Sequence, residues 1–133
     1  MKYIALLGRI LFSSIFIIKS FHHFSSYSIE YATNHGVFLP AILVPLSGIL
    51  SLLGGLSILL GYKARIGAWL LVLFLLPVTF VMHRFWEVKD GHIVMLQHFC
   101  FLKNISMLGA VLMISYFGSG PLSLSKCCDA TKK

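Results

Sequence analysis

The chemistry open to this chain sits mainly in six histidines, and their placement is lopsided: His22, His23, His35, His83, His92 and His98 all fall at the same end of a set of apolar segments. Imidazole takes up and releases protons near neutral pH and hydrogen-bonds through two distinct nitrogens. Trp86, Lys103 and Asn104 stand near the same end. An imidazole, an ammonium and an indole together suit a flat ring bearing oxygens, such as a quinone head group. The imidazole or lysine would hydrogen-bond an oxygen and pass a proton while the indole stacks on the ring. On that reading His83, Trp86, Lys103, Asn104 and His23 are the ligand-contact candidates. The competing reading is that these residues simply border an interface between apolar and aqueous surroundings.

Other chemistries are less well served. There is no HExxH or CxxC, and no histidine pair has the i, i+4 spacing of a helical ligand pair. His22 and His23 are adjacent, hence about 100° apart on a helix, and do not readily face one ion. Histidines from separate helices could still converge, which leaves His22, His23, His83 and His98 as weak candidates for a metal or haem. The four carboxylates, Glu30, Glu87, Asp90 and Asp129, lie between or after the apolar segments. That argues against ion pumping by intramembrane acids and against a paired-carboxylate hydrolase. No G-x-S-x-G nucleophile elbow occurs.

The elements that must position these residues are read from hydropathy. With 58% hydrophobic and 11% charged residues and a mean hydropathy of +0.90, the chain lies outside the soluble range. The apolar runs Tyr3–Phe24, Leu39–Leu60, Ile66–Phe85 and Phe99–Phe117 are each about 19–22 residues, enough to cross a hydrocarbon core of about 30 Å as helices. They lack the period-2 alternation of a barrel. The expected fold is all-α, a transmembrane antiparallel four-helix bundle in one domain over residues 1–121, with a tail at 122–133.

Topology accounts for the net charge of +7 better than nucleic-acid binding does, because the basic residues are scattered around the spans. Lys2, Lys63, Arg65, Lys126, Lys132 and Lys133 lie on one side, against Lys89 and Arg84 on the other. The positive-inside rule then makes both termini cytoplasmic. The first run is too long for a signal peptide and lacks a small-x-small cleavage site, so it is expected to remain as a span. Cys100 and the vicinal pair Cys127–Cys128 make no disulfide framework.

Within the spans, Arg9, Ser13, Phe16, Ser20 and His23 form a seam at steps of 4, 3, 4 and 3, expected to face the bundle interior. Arg9 is the sharpest single residue, because no span holds a carboxylate to pair with it. Its partners must be carbonyls, hydroxyls such as Ser13, a lipid phosphate or another subunit, so it too is a ligand-contact candidate. Ser47, Ser51 and Gly55, at i, i+4 and i+8, form a small-residue stripe for close helix packing. Pro77 is expected to kink the third span, after which Thr79, His83 and Trp86 would share a face. The stretches 25–38 and 86–98 are expected as loops.

Several of these residues fall into a known pattern. His83-Arg84-Phe85-Trp86, preceded by Pro77-Val78-Thr79-Phe80, resembles the histidine-x-Phe-Trp signature that ends the third helix in the DoxX family. Phe101-Leu102-Lys103-Asn104 with Leu108-Gly109 is similar to the family's opening of the fourth helix. Leu7-Gly8-Arg9-Ile10-Leu11, Tyr31-Ala32 through Gly36-Val37, Pro45-Leu46-Ser47-Gly48 and Gly118-Ser119-Gly120-Pro121 resemble its remaining landmarks, in order, across residues 5–124. Two departures stand out. Ser51 occupies the place of a glutamate common in the second helix, and Ser20 and His23 replace a small residue and a lysine ending the first.

The resemblance implies a small multi-pass inner-membrane protein, with relatives linked to quinone-coupled sulfur oxidation and to membrane assemblies that handle thiol and oxidative stress. Three roles are therefore carried forward. The first is a small subunit of a membrane redox system, with a ligand or proton-handling site at the histidine end and a quinone as the favoured cofactor. The second is a scaffold contacting lipid, a partner membrane subunit or a second copy through Arg9 and the Ser47–Gly55 stripe. The third is a small-molecule or metal carrier. The chain shows no residue set sufficient for complete redox chemistry, so it would be at most one subunit of an oxidoreductase.

Overall fold

A backbone placed in lipid must satisfy its own hydrogen bonds, and the computed structural model does so with helices throughout residues 1–125, the part of the chain the structure describes. The elements are α1 (Lys2–His22), α2 (Ser26–Asn34), α3 (Pro40–Leu60), α4 (Ala64–Pro77) and α5 (Gly91–Phe117). α4 runs on through a π turn at Val78–Met82, and a short 3₁₀ turn follows at Phe85–Glu87. No strand occurs among the described residues. Four helical segments are long and apolar enough to cross a membrane: Lys2–His22, Pro40–Leu60, Ala64–Glu87 and Gly91–Phe117.

α1 packs on α3, α3 on α4, and α4 on α5. The core is drawn mainly from α4, whose Ala64, Ala68, Leu71, Val72, Phe74 and Leu75 meet Phe16 of α1, Ile58 of α3 and Val111 of α5. Side chains such as Leu11, Ile18, Leu53, Leu73 and Met113 remain exposed on the spans, as expected of surfaces that lie against lipid.

Small residues set the closest approaches. A Cβ on Gly54 would come within 2.9 Å of the Gly67 carbonyl oxygen, and one on Gly67 within 3.0 Å of the Gly54 carbonyl oxygen. α3 and α4 therefore touch backbone to backbone next to their connecting turn. The Ser47, Ser51 and Gly55 stripe turns toward α1: Ser51 Oγ donates to the Phe16 carbonyl at 3.0 Å, and Gly55 lies against Phe16 and Ile17. The buried face of α1 is the polar seam itself, Arg9, Ser13, Phe16 and Ser20. Hydroxyls in such a seam are tolerated because helix carbonyls nearby accept from them, as Ile17 does from Ser20 at 2.6 Å.

Three expectations need correction. The stretch 25–38 is not a plain loop: Ser25 accepts from the Ser28 N–H and caps the nine-residue helix α2. The 86–98 stretch is not a loop either. Asp90 accepts from the His92 N–H and starts α5 at Gly91, about two turns before the apolar run at Phe99. At 27 residues α5 is about 40 Å long, more than a hydrocarbon core needs.

The third correction concerns α4. Pro77 is followed by a π turn, and His83 (φ −116°, ψ 52°) and Arg84 (φ −81°, ψ 71°) leave helical geometry altogether. The i, i+4, i+7 relation is lost with it. Thr79 is buried, His83 is half-buried, and Trp86 is 54% exposed.

At the opposite end the chain after α5 folds back under the bundle. Gly118, Gly120 and Leu122 take positive φ, and the returning segment reaches Arg9 and the α3–α4 turn. Gly61 in that turn has φ +67°, and a Cβ there would run into the Arg9 guanidinium and Ser123.

Candidate ligand cavity at the histidine end

Between the diverging ends of α3 and α4, roofed by α2, lies a cavity of about 680 Å³. Its walls are mostly apolar, with Val44, Leu50, Phe74, Pro77 and Val81 among them. Leu43, Leu46 and Leu73 also line it and are 41%, 46% and 60% exposed, so the cavity reaches the outer surface of the bundle among apolar side chains. α2 contributes Tyr27, Ser28, Tyr31 and Ala32 from one helical face, the i, i+1, i+4, i+5 pattern of an amphipathic helix lying over an apolar space.

His23 and His83 both line the cavity, one following α1 and one following the π turn. His23 Nδ1 lies 3.0 Å from Ser47 Oγ, and its ring meets Phe74 edge-on at 5.5 Å. His83 Nδ1 lies 2.7 Å from Gln97 Oε1, and Gln97 Nε2 donates to the Tyr31 hydroxyl at 3.0 Å. A single amide thus ties α5, the broken end of α4 and the roofing helix α2 together. The break in α4 is what aims His83 inward. Phe85 and Trp86 then wedge against α5, with ring centroids 5.4 Å and 6.1 Å from Phe101, and Phe85 also stacks near His98 at 4.7 Å.

Of the candidate ligand contacts, the structure brings His23 and His83 to one cavity. Trp86 supports the wedge from outside it. Lys103 is exposed on α5, and Asn104 is buried in the middle of that helix; neither belongs to the cavity wall. Arg9 sits at the far end of the bundle, where Nη1 donates to Ser119 O (3.1 Å) and Nη2 to Pro121 O (3.2 Å) and Leu122 O (2.6 Å). Ser47 is the member of the packing stripe that also reaches the cavity. His22 and His98 are exposed, and among the described residues no three histidine, cysteine or acidic side chains gather as a metal-holding group. Cys100 is a free thiol, while Cys127 and Cys128 lie outside the described residues.

Gln97 and Tyr31 were invisible as site residues in the sequence. Gln97 lies 14 positions from His83 and 66 from Tyr31, and no local pattern joins residues so far apart. The one hint was that Gln97 is a neutral polar residue among apolar ones just ahead of the fourth apolar run.

Four membrane-length helices, with a cavity lined from α2, α3, α4 and the residues that follow α1 and α4, define a small helical integral membrane protein. Its family follows from comparison: the DoxX family model matches residues 4–84, more than half of the chain, and the chain belongs to the DoxX family. The match takes in α1 through His83-Arg84, while the Phe101–Asn104 motif lies beyond it. The chain is also similar to the inner membrane protein YphA of Escherichia coli (strain K12), 27% identical over 123 residues that cover 91% of this chain and 87% of that relative. No solved structure matches it. The protein is a multi-pass protein of the inner membrane.

Proposed function

We propose that the histidine-end cavity binds the head group of a membrane quinone, and that the protein serves as a small subunit of a membrane redox system, contributing the quinone site and a route for protons. One observation carries this reading: a mostly apolar cavity of about 680 Å³, bordered by exposed leucines, whose polar lining includes two imidazoles. A quinone is an apolar molecule with two polar oxygens, and it partitions into the bilayer, so a lateral mouth is the entry it needs. Imidazole can exchange protons with those oxygens, and Gln97 links the His83 imidazole to the Tyr31 phenol, which lines the same cavity. The positive-inside rule makes this end the outer one, with both termini cytoplasmic. Electrons would come from a partner subunit.

The scaffold reading has less support. Arg9 is engaged with the chain's own carbonyls, and the Ser47–Gly55 stripe is covered by α1. A carrier of apolar small molecules would use the same cavity, and differs in releasing its cargo unchanged.

The test is protein purified in mild detergent and extracted for small molecules. A stoichiometric quinone that is lost in a folded His83→Ala variant supports the proposal. Lipid alone in both proteins would refute it.

A further inference from the structure

A second cavity lies at the other end of the bundle from the histidines, and it is cationic where the first is mostly apolar. It measures about 650 Å³ and sits between the start of α4 and the chain that leaves α5. Lys63 and Arg65 line it, together with Ser119, Ser123 and Ser125. Neither cation has an acidic partner among the described residues. The Lys63 ammonium lies 5.6 Å from the centroid of the Tyr62 ring, and Arg65 Nη2 makes one long contact of 3.4 Å with the Tyr116 carbonyl. A third cation borders the same wall, because the Ser119 carbonyl accepts from Arg9 at 3.1 Å. Arg9 is only 8% exposed, and its Nε has no hydrogen-bond partner among the described residues.

No described carboxylate at this end offsets the three charges. Glu30, Glu87 and Asp90 belong to the histidine end, and Asp129 lies outside the described residues. The wall also carries spare donors. α4 begins at Ala64 without a side-chain cap, and the N–H groups of Ala64 and Arg65 have no acceptor among the described hydrogen bonds. Ala64 is 1% exposed, so its N–H is withdrawn from bulk water, and orphaned N–H groups in such places are rare. The Ser119 hydroxyl has one long contact, 3.4 Å to Ser125 Oγ.

We infer that this second cavity binds a phosphate group, carried by a phospholipid or free in solution. A phosphate brings the negative charge that Arg9, Lys63 and Arg65 lack nearby, and its oxygens accept from guanidinium, ammonium, hydroxyl and backbone N–H alike. Ile66 and Phe117 complete the lining and are 57% and 71% exposed, so apolar side chains continue from the site onto the outer surface, where acyl chains would lie. Basic pockets between spanning helices on the cytoplasmic side bind anionic head groups, and the positive-inside rule puts this end there. The site is separate from the histidine-end cavity, and neither reading depends on the other.

The experiment uses the full chain purified in mild detergent and stripped of lipid. Dioleoyl phosphatidylglycerol is titrated in parallel with dioleoylglycerol, which offers the same acyl chains without the phosphate, and bound lipid is counted by native mass spectrometry. Sodium phosphate is titrated against sodium chloride at equal ionic strength, with phosphorus-31 NMR as the readout. Saturable binding of the phospholipid, or of inorganic phosphate, is expected. Lys63→Gln and Arg65→Gln should each weaken it about tenfold while the melting profile holds, because both side chains are exposed. Lys2→Gln removes a charge from the same end outside the cavity and should change affinity by less than about twofold. Displacement of the phospholipid by millimolar phosphate marks free phosphate as the ligand, and binding of the phospholipid without such displacement marks the lipid. Equal binding of the two lipids with no response to phosphate would overturn the inference. So would an equal loss in Lys2→Gln and the two cavity variants, or cavity variants that bind as the unaltered chain does.

Discussion

At the terminal end of the bundle one guanidinium is buried against the returning chain, and at the histidine end two imidazoles line a mostly apolar cavity. Arg9 spends its two terminal nitrogens on three carbonyls of the returning chain, and Ser125 closes the same knot by donating to the Gly61 carbonyl at 2.8 Å while accepting from the Lys63 N–H. Such a cluster fixes geometry, because breaking it strands buried polar groups. Arg9 Nε stays buried without a partner, and at the histidine end each pair likewise engages one nitrogen of an imidazole and leaves the other. The first arrangement suits holding the chain together, and the second suits meeting a ligand. Small residues serve both ends: Gly54, Gly67 and Gly61 bring backbones into contact near the turn, and a Cβ on Gly48 would meet His23 Cβ at 2.8 Å and the Ser20 carbonyl oxygen at 3.2 Å beside the cavity.

That contrast can be broken at either end. The largest effect is expected from Arg9→Met, which leaves the Ser119, Pro121 and Leu122 carbonyls without their donor. Stability should fall by about 3 kcal/mol, read as detergent-solubilised thermal unfolding, and proteolysis should become easier around 118–125. An unchanged melting profile would mean that this knot is not what holds the end shut.

Gly54→Val comes next, at about 1–3 kcal/mol, because the new side chain meets Leu71 and the Gly67 carbonyl in the tightest part of the α3–α4 contact. Retained stability there would show that the two helices can separate without cost. His83→Ala should do the reverse of both. Quinone or quinol affinity should drop by about tenfold, while the melting temperature moves little, since the side chain is only half-buried. Loss of folded protein in equal measure would make His83 structural. The smallest effect belongs to Lys103→Ala: exposed on α5 and outside the cavity wall, it should leave both affinity and stability within error, and a clear loss of binding would move the site toward α5.

Much of the architecture was legible in residue order because hydropathy is a local property. Four long apolar runs have few ways to satisfy their backbones in lipid, and the seam from Arg9 to Ser20 announced its buried side by spacing alone. The sidedness of the six histidines was equally plain. Sequence also gave the possibility that Arg9 is satisfied by carbonyls, though not which ones, since those carbonyls lie more than 100 positions away.

The boundaries at 25–38 and 86–98 misled for a physical reason. α2 and the first turns of α5 are too polar to read as spans, and the capping bonds from Ser25 and Asp90 are the signal that starts them. The order of residues along the chain determined that this is a multi-span helical membrane protein and which end bears the histidines. Tertiary structure alone decided that His23 and His83 share a cavity while Trp86, Lys103 and Asn104 do not. A π turn and two non-helical residues, His83 and Arg84, redirected the end of α4, and a glutamine from another helix captured His83 there. Pairings of that kind depend on where helices cross, which no local periodicity encodes.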